Sequence, residues 1–385
     1  LKEAFYQSIM GGMDMHMHGI HWNEMVVELV REGRIPEFRI DESVRRILDI
    51  KFRLGLFEQP YADEAETMKV RLCDEHRATA LESARNGIVL LKNDGVLPLD
   101  ASRYKKIMVT GINADDQNIL GDWSAPEKDE NVTTILEGLK MIAPDTQFDF
   151  VDQGWDPRNM DPKKVAEAAA RAKSADLNIV VAGEYMMRFR WNDRTDGEDT
   201  DRSDIDLVGL QNELIEKVAA SGKPTIPHSV GQLQMIYNHK PSQYFHPYAA
   251  GKPSTPLYPF GHGLSYTTYK YDDLKLAQKE ITKDGTVDVS VKVTNTGDRD
   301  GVEIVQLYIR DKFSSVTRPV KELKDFTRVL LKAGESQVVN FKITPDKLAF
   351  YDKKMKKIVE PGEFIVMVGA SSDDKDLLKD SFFVK

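Results

Sequence analysis

The clearest candidate for chemistry is a carboxylate that directly follows a predicted buried strand. Glu184 comes after the apolar run at residues 178–182 and a single glycine. It therefore stands just past the carboxyl end of that strand, which is the edge where open α/β sheets bind their ligands. A carboxyl group at such an edge can donate or accept a proton. The competing interpretation is that Glu184 only begins a solvated acidic loop.

The segment at residues 185–206 is crowded with acids and arginines. Its acidic residues are Asp193, Asp196, Glu198, Asp199, Asp201, Asp204 and Asp206. Mixed charge of this kind usually pairs with itself on a solvated face, and the acids are not spaced as in an EF-hand. We keep Glu198 as the alternate to Glu184, and Arg190 as a candidate substrate-binding residue.

An aromatic residue follows the predicted strand at residues 107–110. Trp123 lies beside Asp122 in a Gly-Asp-Trp-Ser segment, where polar neighbours favour exposure over burial in a core. Both are candidate substrate-binding residues. His16, His18 and His21 lie close together in sequence, but a zinc site needs converging ligands with outer-shell support, so we predict no metal.

The elements that must position these residues alternate between helix and strand. Short apolar strands are predicted at residues 88–91, 107–110, 148–151 and 178–182, with a clear helix at 162–173. Such alternation indicates a largely parallel sheet covered by helices. Pro227 is expected to stop a strand that begins at Thr225, because proline removes a ladder hydrogen bond from a central strand. We therefore expect a segment near residues 226–227 to be absent.

The pattern differs at the two ends of the chain. Residues 1 to about 60 predict helices, one with the apolar face Val26, Val27, Leu29 and Val30, and another that is capped by Asp41 and ended by Gly55. These helices have no strands of their own to cover. From Leu274 the apolar period becomes two, with further strands at residues 302–309, 337–343 and 363–368, which predicts an immunoglobulin-like or fibronectin-like β-sandwich.

Composition is that of a globular protein with two or three domains. The 385 residues are 41% hydrophobic and 30% charged, with a formal net charge of -9. No apolar run approaches the ~20 residues of a membrane helix, and a nucleic-acid partner would favour a basic stripe. The single cysteine, Cys73, excludes an internal disulfide.

Several segments resemble glycoside hydrolase family 3, the β-glucosidase family. The longest is residues 83–99, SARNGIVLLKNDGVLPL, which resembles the opening of the family's second domain. The other matching segments are residues 11–17, 39–48, 51–58, 256–267, 315–319 and 360–364.

The resemblance implies an α/β multidomain fold with three parts. These are the C-terminal part of a (β/α)₈-type barrel at residues 1–62, a linker and α/β sandwich at 63–272, and a fibronectin type III-like β-sandwich at 273–385. A whole barrel takes about 250 residues, so only its last part would be present here.

The resemblance also assigns roles to the candidate residues. Glu184 matches the family's Gly-Glu position and would be the general acid/base, with Glu198 as alternate, while Trp123 is similar to a tryptophan that lines the leaving-group subsite. The family nucleophile is an aspartate in a Ser-Asp-Trp segment, which this sequence lacks. The only Asp-Trp pair, Asp122-Trp123, lies in the wrong domain for that role.

The implied function is hydrolysis of terminal non-reducing β-D-glucosyl residues with retention, without metal or cofactor. The implied substrates are β-glucosides such as cello-oligosaccharides. The implied location is secreted or periplasmic, and a homodimer is a possible assembly. β-Xylosidase and exo-glucanase activities stay open within the family. An alternative of another class is a non-catalytic carbohydrate-binding or assembly protein, because the nucleophile is not in these residues.

Overall fold

The computed structural model describes residues 1–125, 127–186, 188–200, 206–229 and 258–385, without the side chains of residues 118, 188–190 and 227–229. The chain divides into two compact units, Leu1–Ile88 and Val89–Lys385. The domain boundaries at residues 62 and 272 stay predictions. Across the ranges just given, no helix is both long and apolar enough to cross a bilayer.

The first unit is helical. Its helices are α1 (Lys2–Met10), α2 (Trp22–Arg31), α3 (Glu37–Arg53), α4 (Glu64–Val70) and α5 (Asp74–Gly87). A small core forms where Ile9, Leu29 and Ile35 pack together. Val26 and Val30 pack against this core as expected, whereas Val27 on the same helix is exposed.

The predicted start of α3 was wrong by one turn. The helix begins at Glu37 after Pro36, so Asp41 lies inside the helix and does not cap it. The proline ring fixes φ near its value of -69° and suits the residue that precedes the first turn. Val44, Leu48 and Phe52 form an exposed apolar stripe on α3.

The loop between α1 and α2 packs by aromatic contacts. The His16 ring stacks on Trp22 with centroids 4.2 Å apart, and Phe5 meets both rings edge-on. Beside it, Asp14 accepts hydrogen bonds from Arg46, Ser43 and Arg39. The hydrogen bond from Arg46 is the main cause that lowers the pKa of Asp14 to about 2. His16 thus belongs to a packed loop.

The second unit begins with a four-stranded parallel sheet. Its strands are β1 (Lys106–Thr110), β2 (Gln147–Val151), β3 (Leu177–Ala182) and β4 (Thr225–Ser229), in the order β2-β1-β3-β4. The crossover helices α6 (Ile135–Ile142), α7 (Pro162–Ala172) and α8 (Gln211–Ala219) give this sheet a separate apolar core on each face. Three of the four predicted strands and the predicted helix are confirmed, because their apolar runs are buried in these two cores.

The predicted strand at residues 88–91 was wrong. Ile88 and Val89 are 70% and 43% exposed, and residues 88–91 pair with none of the strands that the structure describes. The Leu90 carbonyl accepts a single bond from the Leu264 backbone N–H at 2.7 Å, and a ring nitrogen of His262 lies 3.3 Å from the Leu91 oxygen. Two isolated contacts give no ladder, so the apolar run stays irregular.

The expectation that Pro227 stops its strand was also wrong. Strand β4 continues to Ser229, and Pro227 pairs in register with Val180 of β3. Among the described strands β4 lies at the edge of the sheet, where a missing N–H is tolerated.

The rest of the second unit is the predicted β-sandwich. Its strands are β5 (Tyr269–Leu276), β6 (Glu280–Ile281), β7 (Val287–Asn295), β8 (Gly301–Asp311), β9 (Glu322–Leu331), β10 (Ser336–Ile343), β13 (Gly362–Gly369) and β14 (Leu378–Val384). They form one sheet in the order β10-β7-β5 and a second in the order β6-β14-β13-β8-β9. A short helix α9 (Pro345–Leu348) and a hairpin of β11 (Phe350–Tyr351) and β12 (Lys357–Ile358) follow β10.

The period-two signal marks the sandwich core correctly. Every second residue of β7 from Val287 to Val293 is buried between the sheets. A polar exception lies at the margin of this core, where Glu303 is 8% exposed and accepts a 2.6 Å hydrogen bond from the Tyr271 hydroxyl. Burial raises the pKa of Glu303 to about 6, against the smaller opposing effect of that hydrogen bond.

Replacing Glu303 with glutamine should remove a pH dependence of stability. The raised pKa means that the folded state binds the Glu303 proton more tightly than the unfolded state does. The contribution of Glu303 to the free energy of unfolding is therefore fully present below about pH 4.5 and is lost as the pH rises through about 6. The shift corresponds to about 2 kcal/mol. Urea unfolding at pH 4 and pH 7 should therefore show Glu303→Gln gaining about 2 kcal/mol over the unmodified chain at the higher pH. An equal pH dependence in both proteins would contradict this account.

Candidate active site

The candidate residues lie on two loops that leave the carboxyl ends of neighbouring strands β1 and β3. Gly111 ends β1 with φ +117°, and a Cβ there would lie 2.0 Å from the Val181 carbonyl oxygen of β3. Only glycine permits this approach of one backbone to the other. The loop at residues 111–125 therefore starts directly against β3, close to the loop that follows that strand.

A buried amide fixes the end of β3. Gln211, the first residue of α8, is 1% exposed and accepts a bond from the Gly183 backbone N–H while its own N–H donates to the Gly183 oxygen, both at 2.9 Å. This two-way clamp holds the residue directly before Glu184.

Glu184 points toward its own loop. The Thr195 hydroxyl donates to Glu184 Oε2 at 2.6 Å and accepts from the Tyr185 backbone N–H at 2.9 Å. The Thr195 backbone N–H donates in turn to the Tyr185 carbonyl at 2.8 Å. Because Thr195 is buried and Glu184 is half-buried, this carboxylate is part of the packing that shapes the loop.

Glu198 lies in a different environment on the same loop. Its side chain is exposed, and its backbone is held on both sides. The Glu198 N–H donates to Asp122 Oδ2 at 3.2 Å, and the Glu198 carbonyl accepts from Arg194 Nη2 at 2.6 Å. Glu198 is thus an exposed residue whose backbone is anchored on both sides.

The anchor is a buried ion pair. Arg194 Nη1 lies 3.0 Å from Asp122 Oδ2, and their side chains are 1% and 14% exposed. The Arg194 guanidinium also stacks over the Trp191 ring at 3.6 Å. Arg158, in the turn after β2, donates to the carbonyls of Asp193 and Arg194 at 2.7 and 2.6 Å.

Trp123 is 66% exposed, as its polar neighbours predicted. Its backbone is left-handed, with φ +59°, and its N–H donates to Asp122 Oδ1 at 2.9 Å. Asp122 therefore ties together the exposed indole and the exposed Glu198.

The structure places the sequence candidates in distinct positions. Asp122, predicted to bind substrate, lies in the ion pair with Arg194. The side chain of Arg190 lies outside the described residues. In the part of the chain that the structure describes, no three His, Cys, Asp or Glu residues converge as a metal site would require.

Sequence reasoning missed four residues that build this site: Arg158, Arg194, Thr195 and Gln211. Arg194 and Thr195 lie between the two candidate carboxylates in sequence, which was the available signal. Nothing in the spacing indicates that this arginine, among several in the loop, would be buried.

Family models match two parts of the chain. Residues 88–238 match the glycosyl hydrolase family 3 C-terminal domain, and residues 303–372 match the fibronectin type III-like domain.

Curated relatives match nearly the whole chain. A beta-xylosidase of Formosa agariphila is 33% identical and covers 100% of this chain and 61% of the relative. A periplasmic beta-glucosidase of Salmonella typhimurium is 30% identical and covers 96% and 59%, respectively. The chain therefore spans about three fifths of the length of the curated relatives it matches.

Solved structures agree with these matches. A beta-glucosidase of intestinal bacteria involved in saponin metabolism superimposes with a TM-score of 0.81 at 29% identity, over 100% of this chain and 64% of that one. A Listeria innocua beta-glucosidase in complex with glucose superimposes with a TM-score of 0.78 at 27% identity, over 100% of this chain and 60% of that one. The chain carries a glycosyl hydrolase family 3 C-terminal domain and a fibronectin type III-like domain.

Proposed function

We propose that this chain supplies the general acid/base of a retaining β-glycosidase that removes terminal non-reducing β-D-glucosyl residues. The observation that carries the proposal is that Glu198 is an exposed residue on a loop anchored to the exposed Trp123 by Asp122. An aromatic face beside a carboxyl group suits a glycoside, whose ring has an apolar C–H face and whose leaving oxygen needs a proton.

The proposed chemistry is double displacement. The carboxyl group protonates the leaving oxygen in the first step, and its carboxylate then deprotonates the water that releases the glycosyl-enzyme. The nucleophile in this proposal comes from residues outside these 385, since the sequence has no Ser-Asp-Trp segment. The complete enzyme is therefore this chain together with the barrel residues that carry the nucleophile.

The geometry favours Glu198 over Glu184 as the acid/base. Glu184 is half-buried and its Oε2 accepts the Thr195 hydroxyl, so its place is within the loop. Glu198 is exposed, and its backbone is bonded to the residue that precedes Trp123. A group that protonates a substrate bound partly by other residues must be accessible to that substrate, and Glu198 is the more exposed of the two residues.

The sugar in the first subsite is proposed to be glucose. Solved relatives include Listeria innocua beta-glucosidase in complex with glucose and, as a mutant, with laminaribiose. Xylose is the second candidate, because two of the curated relatives are named as a beta-xylosidase and a putative beta-xylosidase. A secreted or periplasmic location is proposed on the name of the Salmonella relative.

Removing the acid/base should slow hydrolysis, and added azide should restore part of the lost rate. In the complete enzyme, Glu198→Ala is expected to lower kcat on phenyl β-D-glucoside by about 10²–10⁴-fold, the usual contribution of general acid/base catalysis. Added azide should restore turnover of an activated aryl glucoside and yield the β-glucosyl azide, because azide needs no general base. The rates and the azide product are read by chromatography.

Glu184→Ala is the matched comparison on the same loop. It should lower activity through disorder of the loop, without azide rescue. Rescue of Glu184→Ala and not of Glu198→Ala would reverse the assignment. A complete enzyme that hydrolyses no aryl glycoside would favour a carbohydrate-binding protein instead.

Substrate preference should follow the proposed sugar. The complete enzyme is expected to give a higher kcat/KM on 4-nitrophenyl β-D-glucoside than on the β-D-xyloside, because a subsite built for glucose gains contacts to the C6 hydroxymethyl group. One methylene group more or less in a pocket is worth about 10–200-fold in such discrimination. A preference for the xyloside would select the second candidate.

A further inference from the structure

The two loops of the site are joined through one buried charge. Arg194 is 2% exposed, although it lies in a loop otherwise rich in exposed charges. Its two terminal nitrogens diverge, since Nη1 donates to Asp122 on the β1 loop and Nη2 to the Glu198 carbonyl on the β3 loop. The guanidinium fork thus fixes one loop against the other.

Asp122, the partner of Arg194, also contacts both loops. Asp122 Oδ2 accepts from Arg194 and from the Glu198 backbone N–H, while Oδ1 accepts from the Trp123 N–H. The backbone of Glu198 is therefore held at its N–H by the carboxylate and at its carbonyl by the guanidinium.

Gly197 allows this arrangement. Its φ is +106°, and a Cβ at this position would lie 2.7 Å from Asp122 Oδ2 and 3.2 Å from Arg194 Nη1. Any side chain would push the carboxylate away from the guanidinium. The sequence therefore places the smallest residue where the ion pair meets the backbone directly before Glu198.

We propose that Asp122 and Arg194 are positioning residues that set the place of the Glu198 carboxyl group relative to the leaving-group subsite at Trp123. This rests on the proposed function. A desolvated pair of charges holds its geometry better than an exposed one, and a misplacement of about 1 Å in a catalytic group can cost about 10²-fold in rate. Asp122 thus acts on the reaction through Glu198 and Trp123.

The test distinguishes a loss of positioning from a loss of stability by comparing two substrates whose leaving groups differ in their need for a proton. Phenol needs protonation to depart and 2,4-dinitrophenol does not, so a misplaced acid slows the phenyl glucoside selectively. In the complete enzyme, Asp122→Asn and Gly197→Ala should each raise the ratio of kcat/KM for 2,4-dinitrophenyl over phenyl β-D-glucoside by about tenfold or more. Gly197→Ala disturbs the pair without removing a charge.

Asp149→Asn is the control for lost stability. Asp149 is 15% exposed and pairs with Arg171 at 2.7 Å and Lys106 at 2.9 Å in the same sheet domain, away from both loops. This variant should lower Tm and leave the leaving-group ratio within about twofold of the unmodified enzyme. A ratio unchanged in both Asp122→Asn and Gly197→Ala would overturn the proposal.

A second measurement needs no turnover. Hydrogen exchange of the complete enzyme should show the Glu198 backbone N–H exchanging about tenfold faster in Asp122→Asn, and at an unchanged rate in Asp149→Asn. Faster exchange with a changed leaving-group ratio supports the proposal, and unchanged exchange overturns it. An unmodified enzyme inactive on both glucosides would instead show that the proposed function fails.

Discussion

A charge pair buried between two loops is the interaction on which the candidate site depends. Asp122 and Arg194 meet at 3.0 Å beyond the carboxyl ends of β1 and β3. Burying two charges is costly unless each is paired and hydrogen-bonded. Here Asp122 also accepts from two backbone N–H groups, while Arg194 also donates to a backbone carbonyl and stacks on the Trp191 ring. The pair thus converts an acidic, exposed segment into a loop of defined shape.

The rest of the sheet domain is arranged to make that pair possible. The close approach at Gly111 starts the β1 loop against β3, and the Gln211 clamp fixes where the β3 loop begins. Arg158 holds the far side of the same loop from the turn after β2. Three strands therefore contribute, which is the usual way that a parallel sheet builds a site at one edge.

Hydrophobic periodicity predicted most of the fold, because burial dominates where strands and helices share a core. It failed at residues 88–91, an apolar run that pairs with none of the described strands, and at Pro227, which lies in a strand at the edge of the described sheet. The exposure of Trp123 followed from its neighbours. The role of Arg194 could not be predicted, because its burial depends on Asp122, 72 residues earlier in the chain.

In the proposed mechanism, Glu198 is the carboxyl group that faces the reacting bond. The most direct measurement is a structure of the complete enzyme with a glycoside analogue bound in the first subsite. We expect the Glu198 carboxyl group to lie within hydrogen-bond distance of the glycosidic oxygen, and about 5–5.5 Å from the nucleophilic carboxylate, as in retaining enzymes. Glu184 in that position, with Glu198 turned to solvent, would contradict it.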